Sequence, residues 1–204
     1  MIPFVLAGCS SSENGDSADS TETDPTNTGE QPPDVSASAS IVNLPSPNNP
    51  LTIEFRLQNP TDHPLQLIPS GGTKPLARIP DLKSGSNRLV LYPPDNEWVT
   101  IAGRNEPRRF NNCWRFVDKD GEKLNKEIVS DGPRHTLYSG YTIRHEVYQR
   151  ELESDCLSEN KYSSELWLEA KKESSDSQES TRLNFEIILY SDDSKPRNIK
   201  ISTI

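Results

Sequence analysis

Leu51-Thr52-Ile53-Glu54-Phe55-Arg56-Leu57-Gln58 decides the fold class. Its apolar residues occupy every second position, and Thr, Glu, Arg and Gln fill the gaps. A period of two sends the two sets to opposite faces of an extended chain, one buried and one wet. Asn59-Pro60-Thr61-Asp62 then reads as a turn, and Leu65 and Leu67 resume the alternation before Pro69-Ser70-Gly71-Gly72. Far along the chain, Leu183, Phe185, Ile187 and Leu189 repeat the same alternation.

Working outward, further strands are expected at residues 87–92, 97–102, 112–117, 141–148 and 198–204. Asp118-Lys119-Asp120-Gly121 suits a hairpin turn. Eleven of the 17 prolines lie between Pro45 and Pro107, a density that forbids long helices there and suits edges and turns. Residues 163–172 are ambiguous. Leu166, Leu168 and Ala170 alternate, yet Glu, Leu, Ala and Lys favour helix. The alternation is taken as strand, with 171–180 as a polar hairpin loop. Many short strands punctuated by turns predict an all-β, two-sheet antiparallel sandwich.

The front of the chain is different. Residues 1–40 hold seven of the 31 acidic residues and none of the 22 basic ones, so residues 41–204 carry a net charge of only −2. Neither part has the basic footprint of a nucleic-acid binder. Twelve Ser or Thr lie between Ser10 and Ser40, with Ala18, Val35, Ala37 and Ala39 as the apolar members. Such a segment buries too little surface to offset its ordering entropy. Residues 10–40 are read as a disordered acidic linker with a mean span of roughly 30 Å, and 41–204 as the folded domain.

Leu6-Ala7-Gly8-Cys9 follows an apolar start and resembles the lipobox of bacterial and archaeal lipoproteins. The resemblance implies that residues 1–9 are a truncated signal and that Cys9 becomes the lipidated first residue of the mature chain. No base precedes the apolar run, which this reading attributes to a start codon placed too far downstream. The stretch from Phe55 to Leu67 looks like the opening of an immunoglobulin-like β-sandwich and is similar to intracellular proteinase inhibitor (BsuPI-like) domains. Tyr138 to Ile143, and Cys156-Leu157 with Lys161-Tyr162, have the look of later strands and loops of such a module. The whole chain resembles short uncharacterised lipoproteins of halophilic archaea.

With Cys9 lipidated, Cys113 and Cys156 remain as an even pair. Outside the cytosol they read as a disulfide. The competing readings are two buried thiols, or a reactive cysteine beside a histidine.

Motifs for chemistry are sparse. His63, His135 and His145 form no i, i+4 pair, and neither HExxH nor Cys-x-x-Cys occurs. His145 shares parity with Ile143 and Val147, which makes it a half-buried packing residue. A metal-dependent enzyme would draw on His135 and His145 with an acid such as Asp155. No G-x-S-x-G or phosphate-binding glycine loop occurs. Asp118 to Glu122 is similar to a calcium loop, but its glycine comes two places too early. Trp98, Trp114 and Trp167 offer flat faces for sugars, although a sandwich usually packs one or two in its core. Arg104, Arg108 and Arg109 are the densest basic cluster. Trp98 with these arginines is the candidate ligand-binding set.

The expectation is a lipid-anchored module without catalytic activity or cofactor, on the extracellular side of the cell membrane. It is held there through lipid on Cys9 and binds a surface protein or glycan. The alternatives are a proteinase inhibitor of the BsuPI-like type and the metal enzyme using His135 and His145.

Overall fold

A computed structural model describes residues 35–69, 74–95, 97–101, 106–128, 134–152, 155–172 and 180–204. Cys9, Arg104, the linker up to residue 34 and most of the 171–180 loop lie outside the described residues.

Among the described residues every regular element is a strand. Strands β1 (Ser36–Asn43), β2 (Leu51–Gln58), β11 (Gly140–Gln149) and β5 (Asn87–Tyr92) lie side by side in that order, all antiparallel. Strands β10 (His135–Leu137), β3 (Leu65–Pro69), β12 (Lys161–Lys172), β13 (Thr181–Asp192) and β14 (Lys195–Thr203) form the other series, again antiparallel. The short β4 (Leu82–Ser84) pairs with both β5 and β12 and joins the two series at one edge. At the other edge β1 packs beside β14.

Counting β1, β2, β3, β5, β11, β12 and β13 as first to seventh, the order is 1-2-5-4 on one side and 3-6-7 on the other. That is the strand order of an immunoglobulin sandwich. β14 adds a strand beside the seventh. The expected fold class holds.

The core follows from the alternation. Leu51, Ile53, Phe55 and Leu57 of β2 are all buried, as are Leu183, Phe185, Ile187 and Leu189 of β13. In β12, Leu166, Leu168 and Ala170 turn inward, so period two prevailed over helix propensity. A twelve-residue strand with partners on both sides gains ladder bonds and burial that outweigh a few tenths of a kcal/mol of propensity per residue.

One boundary moves. Ser36–Ser40, read from composition as linker, are the first part of β1. Ala37, Ala39 and Ile41 sit opposite Leu57, Phe55 and Ile53, and pack against the core. Small side chains bury little by themselves. Here the backbone ladder to β2 supplies the stability that composition does not reveal.

Among the described residues, the connection between β5 and β11, residues 93–139, contains four short strands besides β10: β6 (Val99–Ile101), β7 (Arg108–Phe110), β8 (Cys113–Arg115) and β9 (Lys126–Ile128). β6 pairs with β9 in a small separate sheet, and β7 pairs with β8. Val90 of β5 and Tyr148 of β11 face away from the main core. Phe116 and Leu124 of this connection cover them and build a second, smaller core. The expected hairpin turn lies here too. Asp118 Oδ1 accepts hydrogen bonds from the amides of Asp120 and Glu122, and Gly121 takes a φ of 82°. That carboxylate is spent on the turn, as the hairpin reading requires.

Candidate ligand-binding site

The site is built around Trp114, at the centre of β8. The β7–β8 hairpin turns on Asn111 and Asn112, both in the left-handed region (φ 50° and 62°). Asn tolerates this conformation, and a two-residue hairpin turn with both φ positive requires it. The Trp114 indole N–H donates to the Ser46 carbonyl at 2.8 Å and ties the hairpin to the segment between β1 and β2. The Ser46 hydroxyl oxygen in turn accepts from the amides of Asn48 and Asn49. On its other side the Trp114 ring meets Tyr148 nearly edge-on, with centroids 6.3 Å apart.

Beneath the hairpin, Cys113 and Cys156 form a disulfide with a Cα–Cα separation of 5.5 Å. The thiol readings and the Cys113–histidine pair are therefore set aside. Arg115, buried at 2% exposure, donates to the carbonyls of Phe110 and Glu151 and to the Cys113 sulfur. It fastens the hairpin to the end of β11. Burial lowers its pKa, opposed by Glu151 and Asp155 nearby.

Two open pockets flank Trp114. The larger, about 540 Å³, is lined by Tyr92, Trp114 and Tyr148, by the carboxylates of Glu106 and Glu146, and by Asn48 and Asn49. The Tyr148 hydroxyl donates to Glu146 Oε2 at 2.5 Å. Burial first, then the hydrogen bond to Glu146, raises the Tyr148 pKa, and burial with Glu146 and Glu106 raises that of Tyr92. Both phenols stay neutral in the working range. Tyr92 and Trp114 are half-buried and present ring surface to this pocket beside the acidic side chains, whereas Tyr148, at 3% exposure, belongs to the second core beneath it. The smaller pocket, about 280 Å³, is mainly apolar and has the disulfide in its wall.

The sequence-derived site residues are scattered. Arg109 lines the smaller pocket. Arg108, exposed, sits opposite Arg115 in the hairpin and outside the described lining of both pockets. Trp98 precedes β6 and also lies outside that lining. The arginine cluster is split because neighbours on a strand point to opposite faces. The three tryptophans are not gathered either. Trp167 is on β12, with the Arg182 guanidinium 4.6 Å above its ring.

The two histidines of the metal reading are placed differently. His135 is half-buried on β10 against the Tyr141 ring, at 4.6 Å. His145 is fully buried, not half-buried, with the Phe55 ring 5.5 Å away on β2 and Leu76, Ala77 and Lys126 close by. Neither of its nitrogens makes a well-formed hydrogen bond, although the backbone of Leu76 and Ala77 lies close. Burial first, then the Lys126 ammonium, pushes its pKa down to about 3. Among the described residues, no three His, Cys, Asp or Glu side chains are grouped to hold a metal.

Sequence reasoning missed Tyr92, Glu106, Glu146 and Tyr148. They converge from β5, β11 and a loop, and no local motif marks that meeting. Compared with protein-family models, curated proteins and solved structures, the chain matches none.

Proposed function

We propose that this protein is a lipid-anchored binding module on the outer face of the cytoplasmic membrane, without catalysis. Lipid on Cys9 holds it to the membrane, and the acidic tether lets the sandwich reach its partner. The partner is a surface glycan engaged by the aromatic groove, or a protein bearing one. Tethering works by effective concentration: a membrane-held domain meets surface partners far more often than a free one. A single acyl chain binds reversibly, so two are expected.

The observation that carries the reading is the groove itself. Two half-buried rings, Tyr92 and Trp114, line an open pocket over the buried Tyr148, together with Glu106, Glu146, Asn48 and Asn49, and suit a polyhydroxylated ring that stacks by one face and donates from its rim. The Cys113–Cys156 disulfide supports an oxidising compartment. The test is a titration of the full chain and its Trp114→Ala variant with the purified surface polysaccharide of the producing cells, followed by calorimetry. Saturable binding weakened at least ~30-fold in the variant, the scale of an aromatic hot spot, is expected. No binding, or equal binding by both chains, overturns the glycan reading.

A further inference from the structure

The smaller pocket, on the other side of Trp114, has a different chemistry. Its floor is Leu51, Leu89 and Val147, core residues of adjacent strands at 1%, 1% and 4% exposure. Pro45, Pro47 and Leu157 add apolar walls. Leu157 holds a φ of 47°, a conformation costly to a non-glycine residue, directly after the disulfide at Cys156. Arg109 and Lys195 are the charged members of the described lining, both cations. Arg56, Arg144, Arg150 and Arg197 each pair with a carboxylate. Arg109 and Lys195 pair with none among the described residues.

From this geometry we infer a second binding site, for a small amphipathic carboxylate. An apolar chain of medium length fills the pocket over Leu51, Leu89 and Val147, and its carboxylate meets Arg109 and Lys195. The size fits. At about 280 Å³ the pocket is just below the usual small-molecule range of ~300–1,000 Å³. It is also close to twice the ~150 Å³ of a dry cavity known to hold benzene. An apolar chain seated in this open pocket gains dispersion contacts with Leu51, Leu89 and Val147 and takes its own surface out of water. The planar guanidinium of Arg109 suits a carboxylate in two-point contact. The site depends neither on the membrane anchor nor on the glycan groove, and shares only Trp114 with the latter.

The experiment titrates the full chain with octanoate, octylammonium and acetate at constant ionic strength, by calorimetry and Trp fluorescence. Saturable one-to-one octanoate binding is expected, with octylammonium at least ~10-fold weaker and acetate silent. The double variant R109Q/K195Q, which alters two exposed side chains, weakens octanoate at least ~10-fold. Glu106→Gln, in the other pocket, leaves octanoate binding unchanged. Absence of octanoate saturation, equal octylammonium affinity, or an R109Q/K195Q variant that binds octanoate as wild type overturns the inference. The ligand comparison on the wild-type chain stands even where the double variant fails to fold.

Discussion

Acidification from pH 7 to pH 5 destabilises this protein through His145. The imidazole is fully buried, faces the Phe55 ring edge at 5.5 Å, and has the Lys126 ammonium as the nearby charge. Its folded pKa is pushed down to about 3 from the ordinary imidazole value of 6.5. As pH falls below ~6.5 the unfolded chain takes up a proton that the native state refuses. Stability attached to the neutral ring is therefore full above pH 6.5 and declines as pH falls toward 3. Between pH 7 and pH 5 the linkage integral is about 2 kcal/mol for this one group. Lys126, whose Nζ donates to the carbonyls of Ile79 and Leu91, has its pKa pushed down to about 8 by burial and changes charge above this window. The assay is urea unfolding at pH 7, 6 and 5 for the wild type and His145→Leu, which removes the titrating group and keeps an apolar side chain of similar size. The wild type should lose about 2 kcal/mol more than the variant over that range. Parallel profiles, with the difference constant to ~0.5 kcal/mol, would refute the buried neutral imidazole.

Reduction of Cys113–Cys156 opens a loop with a sequence separation of 43. The chain-entropy model gives about 4 kcal/mol for that loop, so a Cys113→Ser/Cys156→Ser variant should show a urea midpoint lowered accordingly. A midpoint unchanged from wild type would contradict it. Asn59, buried at 7% exposure, donates from Nδ2 to the carbonyls of His63, Leu137 and Tyr138. Its Oδ1 accepts from Thr61, so one side chain joins the turn after β2 to the turn before β11. Asn59→Ala should cost roughly 2–3 kcal/mol, read by the same unfolding assay, and Asp at this position should not rescue it because it offers no N–H. A loss below ~0.5 kcal/mol would show that water replaces the side chain.

The strands with strict alternation were legible in the sequence. β2, β3 and β13 bury the apolar residues that their period selects, because these point at the core, whereas β5 buries Leu89, Val90 and Leu91 in a row because the second core covers its other face. β1 was hidden, since Ser and Ala carry little hydrophobic signal and its order comes from the ladder to β2. β4, β7, β9 and β10 were hidden for another reason: three residues are too few for a period to register. The Cys113–Cys156 pair was readable from counting thiols. The groove was not, because Tyr92, Glu106, Trp114 and Tyr148 are brought together by a connection that folds back over the outside of a sheet. Trp114 and Arg109 were singled out for their chemistry, but the sequence could not assign them to the two pockets.

The most direct test of the account is the intact mass of the native protein from its own membrane fraction, with and without reductant and alkylating agent. The expected result is a chain beginning at Cys9 with added lipid mass, and two thiols that alkylate only after reduction. An unlipidated chain that keeps Met1 and alkylates three free thiols without reduction would contradict it.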